Sequence, residues 1–77
     1  MKKIVIDKQR LGENIRSVRV SNQLSEREFA DRIGVASASR IRKWESGESL
    51  PSVINLINIC NSFGVSFDVL IDSAYYL

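Results

Sequence analysis

Helix start and stop signals divide this chain into short segments. Five side chains that can cap a helix N-terminus each precede an apolar segment: Asp7, Ser25, Ser37, Ser52 and Ser66. Gly34 and Gly64 follow two of these segments, and glycine readily supplies the positive φ that ends a helix. Five short helices with connections of roughly 2–6 residues predict a compact all-α domain.

The second predicted helix carries two start signals in register. Ser25 and Glu28 form a capping box, in which each side chain satisfies the other residue's backbone N–H. Leu24 and Phe29 occupy the positions of a hydrophobic staple. The helix is therefore predicted to begin after Ser25 and to run to about Ile33.

Apolar spacing predicts the remaining helices. The first runs from Asp7 to about Ser21, and the third spans 37–45 with Ile41 and Trp44 turned inward. The fourth spans 53–63, with a predicted inner face of Val53, Leu56, Ile57, Cys60 and Phe63. A fifth helix follows Ser66, with Phe67, Leu70, Ile71 and Ala74 at helical spacing.

The chain is predicted to form one domain over residues 1–77. Residues 1–6 form an extended arm or a brief strand, because the segment from Ile4 to Ile6 is short and β-branched. The five-helix core then covers 7–72, and 73–77 form a tail.

Composition excludes several classes of protein. A single Cys60 cannot form an internal disulfide, and without any His it cannot build a zinc site or support His-based catalysis. The sequence also shows no clustered carboxylates and no phosphate-binding loop, so we expect no enzyme. We likewise expect no cofactor, metal or small-molecule substrate. No apolar run approaches the roughly 18 residues of a membrane span, so we expect a cytoplasmic domain without a membrane partner.

Charge is distributed unevenly along the chain. Residues 1–43 hold all eleven Lys and Arg with five acidic residues, a net +6, whereas residues 44–77 hold four acidic residues and no basic ones, a net −4. Such asymmetry indicates a face for a polyanion, usually nucleic acid or an anionic membrane. The alternative is a solvated surface whose charge is uneven by chance.

The outer face of the 37–45 helix is polar and cationic. Stepping 100° per residue from Ile41 puts hydroxyls and Lys43 on the side away from the core, with Arg40 and Arg42 beside them. In a major groove, Arg and Lys can reach guanine and Ser can serve several bases. The candidate base-reading residues are Ser37, Ser39, Arg40, Arg42 and Lys43. Ser39 and Lys43 point most directly outward, and Arg40 and Arg42 could equally hold phosphates. The alternative is an ordinary solvated helix face.

The start of the second helix is a candidate phosphate site. Ser25, Arg27 and the first backbone amides of that helix lie where anions bind helix N-termini. Ser46, on the outer side of the third helix, is a further candidate phosphate contact.

The order of these segments resembles the Cro/repressor-type (XRE-like) helix-turn-helix DNA-binding family. The matching segments are Leu11-Gly12, Leu24-Ser25, Glu28-Phe29-Ala30, Gly34-Val35, Ile41 with Trp44-Glu45 and Gly47, Leu50-Pro51-Ser52, and Gly64-Val65-Ser66. The resemblance implies a five-helix fold of the lambda-repressor-like type. It also implies a small transcriptional regulator, typically a repressor from a phage, plasmid or mobile element. Such a protein binds double-stranded DNA at a palindromic operator as a homodimer. Finally, the resemblance pairs Arg19 with Glu45, joining the first helix to the end of the third.

The sequence departs from this family pattern at three places. The spacing from Gly34 to Ile41 is one residue longer than usual, and we expect the extra residue in the turn near Ala36, because this keeps Ile41 buried. Glu26 stands where the family commonly has a Gln, and Glu48 where many relatives carry a cation. Both carboxylates should weaken affinity for phosphate.

Two questions stay open at the level of sequence. The fifth helix and the tail residues Tyr75, Tyr76 and Leu77 are predicted to form the dimer surface, but the tail could instead fold onto its own core or fray. The alternative function is a protein-interaction module or antitoxin-like protein with weak or lost DNA binding.

Overall fold

The computed structural model describes residues 3–76, which form five helices and two short strands. The helices are α1 (Lys8–Ser21), α2 (Glu26–Ile33), α3 (Ala38–Glu45), α4 (Val53–Phe63) and α5 (Phe67–Leu70). The strands are β1 (Val5–Ile6) and β2 (Tyr75–Tyr76). Leu77, predicted at the dimer surface, lies outside the described residues.

The capping residues begin the helices where the sequence predicts. The side chain of Asp7 accepts a hydrogen bond from the backbone N–H of Arg10 at 3.0 Å, and Ser52 accepts one from Asn55 at 3.1 Å. Gly34 ends α2 with a φ of 77°. The all-α fold class and the bounds of the first four helices are therefore confirmed.

The core lies where α1 and α2 pack on the buried side of α3, and α4 and α5 complete it by packing on α2 and α1. Its fully buried large side chains are Phe29, Ile15, Ile41, Ile59 and Leu70. Trp44 is also buried, which confirms its predicted inward position. Cys60 packs against this core, and burial raises the pKa of its thiol, as fits a small core residue.

The face of α4 that the structure buries is rotated by part of a helical turn from the face that the sequence predicts. Leu56 and Ile59 are buried, whereas Val53 is 68% exposed and Ile57 is 48% exposed. Leu56, Ile59, Cys60 and Phe63 form the packed stripe, because they follow the i, i+3, i+4, i+7 spacing of a helix face. Val53 and Ile57 lie beside this stripe, on a flank of the helix that is open to solvent.

The fifth helix is shorter than its apolar spacing predicts. It ends at Leu70, and the chain reverses through Ser73, whose φ is 58°. Asn14 of α1 stabilises this reversal, because its side-chain amide donates to the carbonyls of Leu70 at 2.9 Å and Asp72 at 2.8 Å. These bonds hold the chain in a non-helical path, so Ala74 reaches the core from a turn and not from a helix.

The two ends of the chain pair with each other. β1 and β2 are antiparallel, with Val5 opposite Tyr76 and Ile6 opposite Tyr75. The backbone N–H of Asp7 extends the contact by donating to the carbonyl of Ala74 at 2.7 Å. The N-terminal segment is therefore a brief strand, and the tail as far as Tyr76 lies against it.

Gly12 permits a close crossing of α1 and α3. A Cβ atom at this position would lie 2.7 Å from the carbonyl oxygen of Glu45, and closer still to that of Trp44. Neither oxygen can move away freely, because both belong to the last turn of α3.

Replacing Gly12 by Ala should therefore destabilise the protein by about 3 kcal/mol, the upper end of the cost of overpacking. Gly34→Ala is the matched control, since a Cβ there meets nothing within 4 Å and only the positive φ opposes it. We expect a cost of about 1 kcal/mol for that control. Urea unfolding measures both free energies, and equal losses would contradict the close-crossing account.

Candidate nucleic-acid interface

The capping box fixes the start of α2 at the protein surface. The Ser25 hydroxyl accepts from the backbone N–H of Glu28 at 3.1 Å, and the Ser25 N–H donates to the Glu28 carboxylate at 2.8 Å. The hydrogen bond from the Ser25 N–H to the carboxylate is the main cause of the lowered pKa of Glu28. The capping box uses the backbone N–H groups of Ser25 and Glu28. The backbone N–H groups of Glu26 and Arg27 are therefore the ones at this helix start that can donate to an anion.

The outer face of α3 presents hydroxyls and cations. Ser39 and Lys43 are exposed, on the side away from the buried Ile41. Ser37 caps the helix by accepting from the Ser39 N–H at 3.2 Å, and the two hydroxyl oxygens lie 2.6 Å apart. Ser46 donates its hydroxyl hydrogen to the Lys43 carbonyl at 3.1 Å, which leaves its oxygen facing solvent as an acceptor.

The three cations of α3 have different surroundings. Arg40 lies over the ring of Trp44, with its guanidinium carbon 5.9 Å from the ring centroid. Arg42 forms an ion pair with Glu26 of α2, at 3.2 Å between Nη2 and Oε1. Within residues 3–76, Lys43 takes part in no ion pair, so its ammonium group is available to a ligand.

A bidentate ion pair joins α1 to the end of α3. Arg19 donates from Nε to Glu45 Oε2 at 2.6 Å and from Nη2 to Oε1 at 3.0 Å. Its Nη1 also donates to the Leu24 carbonyl at 2.9 Å, ahead of α2. The side chains of Arg19 and Glu45 are only 14% and 8% exposed, and the hydrogen bond to Glu45 is the main cause of the raised pKa of Arg19. The pair therefore fixes α3 relative to α1 and to the start of α2.

Arg27 has structural partners that the sequence interpretation did not anticipate. Its Nη2 donates to Asp31 at 2.7 Å, which raises the pKa of Arg27, and its Nη1 donates to the carbonyl of Ala36 at 3.2 Å. The spacing of Arg27 and Asp31 by four residues was the available signal for the first contact. The second contact ties α2 to the turn in which the extra residue was expected, and Ile41 after that turn is buried.

The candidate residues do not form one cluster. The candidate DNA contacts, from Ser25 to Ser46, lie on α2 and α3 or at the ends of these two helices, which pack on each other. Tyr75 and Tyr76 lie instead in β2, each about half exposed, against Val5 and Ile6.

In residues 3–76, no three side chains of His, Cys, Asp or Glu lie together as a group that could bind a metal ion. Among the same residues, no helix has the length and apolar character needed to cross a membrane.

Removing one partner of the Arg19–Glu45 pair should destabilise the fold. Glu45→Leu leaves the guanidinium largely buried without its counter-charge, so we expect a loss of about 3 kcal/mol in the free energy of unfolding. The double variant Arg19→Met/Glu45→Leu should regain part of that loss, since no unpaired charge remains. Urea titration of both variants checks this, and a double variant less stable than Glu45→Leu alone would contradict it.

Comparisons with known proteins agree with this architecture. A helix-turn-helix family model matches residues 15–70. A curated relative, the cryptic phage CTXphi transcriptional repressor RstR of Vibrio cholerae serotype O1, is 33% identical over 61 residues. That match covers 79% of this chain and 54% of the relative, so the chain spans about half the length of that protein.

A solved structure shows the same fold. It is the restriction-modification controller protein C.AhdI from Aeromonas hydrophila, with a TM-score of 0.76 and 22% sequence identity. The match covers 83% of this chain and 96% of the other. The sequence match over most of the chain and the shared fold lead to one conclusion: this chain belongs to the XRE-type helix-turn-helix family.

Proposed function

We propose that this chain is a small transcriptional regulator, a repressor that binds a palindromic operator in double-stranded DNA as a homodimer. Helix α3 enters the major groove and the start of α2 lies against the phosphate backbone. The observation that carries this proposal is the face of α3, where the exposed Ser39 and Lys43 project from a helix that Arg19 and Glu45 hold in place.

The proposed division of labour follows from the partners of each side chain. Ser37, Ser39, Arg40, Arg42 and Lys43 read base edges, and Ser25, Arg27 and Ser46 hold phosphates. Arg27 retains its positive charge while it binds Asp31, and its remaining N–H groups can still donate to a phosphate oxygen. The relative RstR is named as a transcriptional repressor, which supports a binding role and not a catalytic one. A regulator of this kind acts in the cytoplasm, where its DNA is.

The rival function, a protein-interaction module without DNA binding, rested on the acidic residues Glu26 and Glu48. The ion pair with Arg42 offsets the charge of Glu26, so one of the two objections to DNA binding is weakened. Binding to random duplex DNA at about 50 mM salt distinguishes the two functions, because non-specific DNA binders are detected under such conditions. Absence of any binding there would reject the DNA-binding proposal. A selection from random sequences then identifies the operator and its symmetry.

Lys43→Ala should reduce affinity for the selected operator by about tenfold or more, the size expected for one lost base contact. Random DNA should be affected much less. Arg32→Ala is the matched control, since Arg32 lies over the ring of Phe63, at the end of α2 remote from its N-terminus. Fluorescence anisotropy measures all four affinities. An equal effect of both variants on operator and random DNA would contradict the role of Lys43.

The homodimer is proposed to form through an apolar surface at the paired chain ends. We define the apolar surface as the groove between these ends and the start of α4, lined by Ile4, Ile6, Leu50, Val53, Phe67 and Tyr75. Each of these side chains is at least 41% exposed, and Ile54 beside them on α4 is 70% exposed. Monomeric proteins rarely leave such contiguous apolar groups in water. Of the residues predicted at the dimer surface, Tyr75 lines this groove and Tyr76 does not.

Charges beside the apolar surface favour a second copy as its occupant. Lys3 and Lys8 flank the N-terminal strand, whereas Asp68 and Asp72 lie on the α5 side, and all four are exposed. In a two-fold dimer the same surface meets itself, so the lysines of one copy can approach the aspartates of the other. The dimer would read two half-sites roughly 34–36 Å apart on one face of the DNA.

Val53→Lys should convert the dimer to a monomer and weaken operator binding, because it puts a charge among the side chains of the apolar surface. Val20→Lys is the matched control: Val20 is 53% exposed on α1 and lies outside that surface. Sedimentation equilibrium measures the association of each variant. Unchanged association of Val53→Lys would remove this surface from the interface.

A further inference from the structure

The ion pair between Glu26 and Arg42 connects the two helices of the proposed DNA-reading unit. Glu26 is the first residue of α2, and Arg42 lies in the second turn of α3. One carboxylate oxygen, Oε1, accepts from Nε of Arg42 at 3.3 Å and from Nη2 at 3.2 Å. The side chain of Glu26 is 24% exposed and that of Arg42 is 69% exposed, so the covered carboxylate holds one side of a guanidinium that projects into solvent.

A contribution to the stability of the fold does not explain well why Glu26 and Arg42 form this ion pair. Ion pairs with an exposed partner contribute little to the free energy of folding, since water solvates the free charges well. Such a contact does restrict the rotamers of a long side chain. An arginine already held in one orientation loses less entropy when it later binds a ligand.

The geometry also determines which donors remain free. A guanidinium group has five N–H donors, and Glu26 occupies the Nε–H and one Nη2–H. The other Nη2–H and both Nη1–H groups point away from the carboxylate. Two of these, one on each terminal nitrogen, are nearly parallel. This end-on pair matches the O6 and N7 acceptors of a guanine in the major groove.

We propose that Glu26 is a positioning residue for Arg42, and that Arg42 in this orientation reads a guanine of the operator. This inference rests on the proposed DNA-binding function and adds a specificity-determining residue to it. Glu26 touches no base. It acts by fixing the plane of the guanidinium and by leaving its end-on donors free, although its own charge repels the nearby phosphates.

This arrangement predicts opposite effects of one substitution on two kinds of DNA. Glu26→Ala removes a negative charge, so affinity for random duplex DNA should rise slightly. The same change releases Arg42, so affinity for the selected operator should fall by about tenfold, the size of one degraded bidentate contact. Glu26→Gln keeps an acceptor without the charge and should fall between wild type and Glu26→Ala on the operator.

Glu48→Ala is the matched control, since it removes the same charge from an exposed residue in the loop after α3. Within the described residues Glu48 pairs with no cation. It should strengthen binding to the operator and to random DNA alike. Thermal unfolding of each variant checks that the fold is retained, because only folded protein can report on orientation.

The decisive readout is the base pair at which specificity is lost. Wild type should discriminate strongly at one G·C pair, and both Glu26→Ala and Arg42→Ala should lose discrimination at that same pair. The double variant should be no worse there than Arg42→Ala alone, since the two residues act through one contact. If Glu26→Ala instead strengthens operator binding as Glu48→Ala does, or loses affinity evenly at every position, the positioning role is rejected while the DNA-binding function stands. If wild type binds no duplex, both proposals fall.

Discussion

The packing of α3 against α1 is the constraint on which the rest of the structure depends. Gly12 lets the last carbonyls of α3 approach α1, and Arg19, two turns further along the same helix, binds Glu45 at that end of α3. Ile41 and Trp44 bury the inner side of α3 at the same time. With its end and its inner side fixed, α3 can leave only its polar side to solvent.

The same packing separates two surfaces with different chemistry. The start of α2 and the outer side of α3 carry hydroxyls and cations, whereas the groove beside the chain ends is apolar and flanked by Lys3 and Asp68. Polar groups in the first surface can exchange hydration for contacts with phosphates and bases. Apolar side chains in the second gain by leaving water. The proposed function, binding to DNA by a homodimer, would use one surface for DNA and the other for the second copy.

Sequence alone predicted most of the fold, because short-range signals begin and end the helices. Ser25 with Glu28, and Gly34 after them, act within a few residues, so their effect can be read locally. The rotation of α4 could not be predicted in this way. Apolar residues cover more than half of the circumference of that helix, and its contacts with α2 and α5 decide that Ile59 is buried and Val53 exposed. Asn14 likewise ends α5 through partners more than fifty residues away. For the site, the cationic face followed from helical periodicity, but the partner of Arg42 depends on the angle between two helices.

Backbone amide NMR of the protein titrated with its selected duplex tests the central claim most directly, since it reports where DNA lies on the surface. The account predicts that the largest shifts fall on Ser39, Lys43 and the first amides of α2, while Val53 and Phe67 of the apolar surface keep the shifts of the free protein. Maximal shifts on the apolar surface, with those of α3 unchanged, would contradict it.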